Sequence, residues 1–194
     1  MITVATVGAV RAVMLEVPEH FLAERRRLGH DRFDEMWEGV LHMVPPPGSG
    51  HQSLATRFAA GVMPHADRLG TVVMNEAGLF DPAVGDFTSF RQPDVVVAHP
   101  DHVSERGVEG NAVLAVEIRS PNDETYQKLD FYGRVGVAEL LVIDQRIGLV
   151  ERFVHREGRL LLTTADPQGW VPLDGLGLRF RLADDRPVLE PLAG

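Results

Sequence analysis

An α/β fold, with a central mixed sheet flanked by helices, is the class this sequence predicts. Three observations predict it. Residues 94–98 (DVVVA) and 112–118 (AVLAVEI) are near-continuous apolar runs, as expected of strands covered on both faces. Residues 51–69 carry Leu54, Ala55, Phe58, Ala59, Val62, Met63, Ala66 and Leu69 on one helical face. From residue 94 onward, strand and helix patterns alternate.

Taken in order, residues 16–29 place Phe21, Leu22, Arg25 and Leu28 at helical spacing, with Pro18 near the start and Gly29 as a stop. Residues 33–37 and 40–44 read as two strands around Glu38-Gly39, an N-terminal hairpin closed by the loop 45–50 (PPPGSG). The long helix 51–69 ends at Gly70, and Pro64 should kink or split it. Strands are expected at 71–75 and 78–80, then a turn-rich loop at 81–89. After the two apolar strands, Asn122 or Asp123 caps a helix over about 124–135, with Leu129, Tyr132 and Val135 on one face. Residues 140–143 form a further buried strand. Segments 150–155 and 160–164 make a C-terminal hairpin, and 170–180 a final short strand region. The expected core sheet has about five strands, with one helix on each side.

Composition narrows the function classes. The length of 194 residues suits one domain, with its core over about 32–155. Cysteine is absent, which excludes disulfides, thiolate zinc sites and cysteine nucleophiles, and a cytoplasmic location fits best. No apolar run is long enough to span a membrane, and residues 1–15 lack the basic flank of a signal peptide. The formal charge of −9 argues against coating nucleic acid through a basic field, though not against phosphate chemistry at a metal. Of 19 basic residues, Lys128 is the only lysine. Lysine can exchange a proton where arginine does not, so its single use invites a functional reading.

Asp94 opens one apolar strand and Glu117 closes the other. If those strands are neighbours, the two carboxylates converge at one edge. Hard oxygen ligands with open positions suit Mg2+ or Mn2+. Glu117 follows an apolar run and needs a metal or a partner, the alternative being an ion pair with Arg119 or Arg91.

Pro93-Asp94 followed by Glu117-Ile118-Arg119 is similar to the PD-(D/E)XK signature of restriction-endonuclease-like enzymes. The longer context is more specific: Val116 to Asn122, then Lys128 and Tyr132, then Gly136 to Asp144. With Glu35 to Leu41, Met43, Pro45, Pro47 and His51 upstream, it resembles the Uma family of restriction-endonuclease-like proteins over roughly 32–155. The resemblance implies an endonuclease that hydrolyses DNA phosphodiester bonds with Mg2+ (or Mn2+) bound by Asp94, Glu117 and the carbonyl of Ile118. It also implies a homodimer. Arg119 stands where such enzymes carry lysine, and the resemblance supplies that lysine as Lys128, from the following helix. Lys128 would orient or deprotonate a water, or stabilise developing charge. Because Arg119 departs from the pattern, a catalytically inactive domain that binds nucleic acid or a protein is the alternative.

Other residues are weighed beside these. Glu38 is a hairpin-turn acid that could complete the metal site, with Glu35 ranked below it, and His51 is a helix-start histidine that could contact substrate or metal. Tyr132 is expected to pack in the core, and Glu124 to pair with Lys128 along the helix. The run Arg25-Arg26-Arg27 is expected to be a solvated helix face.

Overall fold

A computed structural model describes residues 17–121 and 123–192. The expectations for residues 1–16 and for Asn122 as a cap lie outside the described residues. The chain opens with helix α1 (Glu19–Leu28), hairpin strands β1 (Glu35–Trp37) and β2 (Val40–His42), and the long helix α2 (Ser49–Arg68). Strands β3 (Val72–Asn75), β4 (Leu79–Phe80), β5 (Phe90–Arg91), β6 (Val95–Ala98), β7 (Val108–Glu109) and β8 (Leu114–Ile118) follow. Helix α3 (Leu129–Arg134) precedes β9 (Glu139–Asp144), β10 (Leu149–Arg156) and β11 (Arg159–Thr163). The last strands are β12 (Val171–Leu173), β13 (Leu178–Ala183) and β14 (Arg186–Pro191).

The central sheet is mixed and six-stranded, in the order β11-β10-β9-β8-β6-β3. Strand β6 runs antiparallel to β8 with Val95 opposite Val116, and β8 runs parallel to β9. Strand alternation sorts the apolar runs onto two faces. Val95, Val97, Leu114, Val116, Ile118, Leu141 and Ile143 meet Leu54, Phe58, Val62 and Ala66 of α2. Val96, Ala98, Ala115, Leu140 and Val142 meet Phe131 and Tyr132 of α3. The helix-on-each-face arrangement read from the sequence is therefore present, with the predicted strands in place.

Several details differ. Pro64 does not split α2, which runs unbroken through it. Pro64 and Ala60 both lie on the exposed side, so the carbonyl freed by the missing N–H faces water. Met63 and Leu69, assigned to the buried face, are about half exposed, because α2 meets the sheet along a narrower stripe. Helix α1 buries none of its residues, and it is tied down instead by Arg25 to Asp34 at 2.5 Å. Arg26 and Arg27 pair with Glu19 and Glu24, so all three arginines of that run are balanced by acids.

The N-terminal hairpin does not extend the central sheet. It joins β5, β4 and β7 in a separate five-stranded sheet, ordered β2-β1-β5-β4-β7. The hairpin β10–β11 does extend the central sheet, as expected, and the sheet has six strands with that hairpin included. At the C-terminus, β12, β13 and β14 form an antiparallel sheet whose Val171, Leu173, Leu178 and Phe180 close the α2 side of the core. The expected helix over 124–135 is a 3-10 turn, Thr125–Lys128, leading into the short α3. Asp123 accepts from the N–H groups of Ser120 and Thr125, so this side chain shapes a tight turn instead of an α-helical start.

Gly133 sets how closely α3 lies on the β10–β11 hairpin: a Cβ there would sit 2.8 Å from the Gly158 carbonyl oxygen. Backbone cannot swing aside as a side chain can. Gly133→Ala is expected to cost about 1–3 kcal/mol through overpacking, read as a lower urea midpoint with an unchanged slope.

Candidate active site

The register that pairs Val95 with Val116 puts Asp94 opposite Glu117. Alternation then places both carboxylates on the α3 face, since Asp94 precedes Val96 by two residues and Glu117 follows Ala115 by two. Asp94 takes the N–H of Ile118 on one oxygen at 2.6 Å, and its other oxygen lies 2.6 Å from Nε2 of His51. His51 reaches it from the first turn of α2, and its Nδ1 is 3.5 Å from Ser120 Oγ.

Glu117 is buried at the end of its apolar strand, where a charge needs partners. Lys128 Nζ lies 3.0 and 3.2 Å from its two oxygens, and the Tyr132 hydroxyl donates to Oε1. Lys128 also donates to Glu35 Oε1 at 2.8 Å. Glu35 is held in turn by the Gln92 N–H and by the indole N–H of Trp37, each at 2.8 Å. The 3-10 turn and α3 thus deliver Lys128 and Tyr132 one helical turn apart, onto the same carboxylate.

Two carboxylates share one ammonium here, with Asp94 close by, and the electrostatics show it. Burial pushes Glu117 up to about 7 against the pull of Lys128, and the charges of Asp94 and Glu35 push the same way. Burial opposes charge on Lys128, but Glu117 and Glu35 outweigh it, so its pKa stands above the ordinary lysine value. Burial also opposes charge on His51, and its bond to Asp94 with the charges of Asp94, Glu117 and Asp123 raises it overall. Tyr132 is held well above the ordinary phenol value by burial and the same carboxylates, so it acts as a donor.

The structure thus brings Asp94, Glu117, Ile118, Lys128 and His51 together along one cleft of about 490 Å³. It does not bring Glu38 there. Glu38 stands at the hairpin turn, half exposed, bound to Arg134 at 2.6 Å and Arg91 at 3.2 Å. Glu35 holds the inner position instead. It lies two residues before Trp37 on the same strand face, which is the signal that could have ranked it first. Glu117 pairs with Lys128 in place of Arg119 or Arg91, and Arg119 turns to Asp144 at 3.3 Å. Glu124 meets His42 Nδ1 at 2.7 Å, while Lys128 points to Glu35 and Glu117. Tyr132 does pack in the core as expected, and its hydroxyl has a site contact besides.

Among the described residues, no group of three or more His, Asp or Glu side chains is arranged to enclose a metal ion. Asp94 and Glu117 do fit a hard divalent cation. They supply oxygen donors on one sheet face, in a cleft short of positive charge, and Mg2+ commonly keeps several waters on one or two carboxylates.

A mixed sheet with an acid opening one strand, a second acid opposite it and a lysine from the 3-10 turn that follows defines a restriction-endonuclease-like protein. The chain belongs to the Uma2 family, described as "Putative restriction endonuclease", whose model matches residues 19–184. Its fold is similar to a solved structure described as a "putative nuclease belonging to DUF820" from Anabaena variabilis, with a TM-score of 0.57 and 16% identity. That similarity covers 72% of this chain and 80% of the other. No curated protein sequence matches the chain. Among the described residues, no helix is long and apolar enough to cross a membrane.

Proposed function

We propose that this cleft hydrolyses phosphodiester bonds of DNA with Mg2+ or Mn2+ held by Asp94, Glu117 and the Ile118 carbonyl. The observation that carries the reading is the placement of Asp94 opposite Glu117 on one sheet face, with Lys128 Nζ in contact with Glu117. When bound, the cation would neutralise phosphate charge and lower the pKa of a water.

The chain's own residues do the rest. His51 and the Ile118 N–H hold the Asp94 carboxylate in one orientation. Tyr132 does the same for Glu117. Lys128, held between Glu117 and Glu35, is placed to offset negative charge developing on the phosphoryl oxygens. Of the roles open to it on sequence, charge stabilisation is the one its surroundings favour.

The net charge of −9 and the arginine at position 119 favour a second reading, a family member that binds but does not cut. One experiment separates the two. Wild-type protein with Mn2+ is expected to cut DNA offered as supercoiled plasmid and as a circular single strand, and Asp94→Ala to lower that rate by about a hundredfold or more. The same variant should lose the saturable Mn2+ site in calorimetry. Equal cutting by Asp94→Ala would end the catalytic reading. A wild type that binds Mn2+ and DNA without cutting would establish the binding one.

A further inference from the structure

A column of stacked planar groups runs from the core to the cleft. The Arg91 guanidinium lies 4.2 Å from the Phe131 ring centre on α3 and 4.3 Å from that of Trp37 on β1. Trp37 stacks in turn on His42 of β2, with ring centres 3.9 Å apart and planes 13° from parallel. The column ends there. His42 lines the same cleft as Asp94 and Glu117, its side chain is 21% exposed, and among the described residues no second ring or cation stacks on it. Its Nδ1 is held by Glu124 at 2.7 Å, which fixes the plane of the ring.

The wall beside it is apolar. Val40, Met43 and Val44 are among the large apolar side chains left exposed on this protein, and all three line this cleft. The acids line the same cleft, with Glu35 paired opposite His42 in the β1–β2 hairpin and Glu124 bonded to the His42 ring. A duplex is bound mainly through its phosphates, by basic side chains that this cleft lacks apart from Lys128 and the two histidines. Bases in a duplex are already stacked on one another. An unpaired base has a free face, and stacking it on a side-chain ring adds binding that a paired base cannot gain.

Resting on the nuclease reading above, we propose that the substrate is single-stranded DNA, with one unpaired base laid on His42 as the next member of the Phe131–Arg91–Trp37–His42 column. The apolar hairpin residues flank that base, and its phosphate faces Asp94, Glu117 and Lys128. His42 is then a specificity-determining residue for unpaired over paired DNA.

The test is fluorescence anisotropy with a short labelled single strand and with its duplex, at fixed salt, using Ca2+ in place of Mg2+. The single strand is expected to bind at least about tenfold tighter than the duplex. His42→Ala should erase that preference, and His42→Phe, which keeps a ring but not the imidazole, should retain it. Duplex binding as tight as single-strand binding overturns the proposal. So does a preference that survives His42→Ala, or a His42→Phe that behaves like the alanine variant. If the duplex binds and is cut while the single strand is not, this inference falls and the nuclease reading stands. If neither form binds, both fall.

Discussion

Lys128→Ala is expected to abolish metal-dependent cleavage and to lower folding stability by about 3–5 kcal/mol. The ammonium sits between two carboxylates that are almost fully buried, with side-chain exposures of 11% for Lys128, 6% for Glu117 and 2% for Glu35. Truncation leaves both acids without a counter-charge in a site that also holds Asp94. The cost is that of stranding buried charge, not the net worth of the ion pair. Urea unfolding checks it, as a fall in midpoint at constant slope. A divalent cation should offset part of the loss, because the freed Glu117 and Glu35 oxygens are then available to it. Added Mn2+ is therefore expected to raise the melting temperature of Lys128→Ala more than that of wild type. If the variant unfolds at the wild-type midpoint and still cuts, Lys128 is neither a structural nor a catalytic member of the cluster.

A second buried charge should matter as much to folding and little to chemistry. Arg152 on β10 donates to Glu139 on β9 at 2.8 Å and to Asp174 at 2.6 Å. Glu139 also takes the Gly175 N–H at 2.6 Å, so the pair joins the central sheet to the turn that leads into β13. Arg152 and Glu139 are each 6% exposed, whereas Asp174 is largely in water. Arg152→Ala is expected to cost about 3–5 kcal/mol, nearly all of it from the stranded Glu139. A double-mutant cycle with Glu139→Gln checks that assignment, since the second change should then cost little on top of the first. Cleavage at low temperature should persist, because Glu139 lies opposite Leu114, at the far end of β8 from Ile118. Equal stability of wild type and Arg152→Ala would show that Glu139 finds another partner.

The Lys128 cluster joins an acid close in the chain to one remote from it, and that is where reading the chain alone stops. Lys128 and Glu35 are 93 residues apart. Glu38 looked the better accessory acid because a turn acid after a short strand resembles the family pattern. Its side chain nevertheless leaves the cleft for Arg91 and Arg134. The helix expected over 124–135 became a 3-10 turn and a short α3 because Asp123 bonds backbone N–H groups there. Propensity has no view of that competition.

What the sequence determined by itself is the frame. Near-continuous apolar runs at β6, β8 and β9, with a five-turn amphipathic stripe at α2, admit a sheet buried on both faces. An acid at each of two strand ends marks where that sheet becomes polar. Periodicity carries this information because burial of alternate residues is dictated locally. Tertiary structure alone decided which partners those acids have. Register put Asp94 opposite Glu117. The separate N-terminal sheet brought Glu35 and His42 over the cleft, and α3 turned Lys128 and Tyr132 into it. Such pairings depend on desolvation and on the meeting of elements remote in the chain, and no local pattern encodes either.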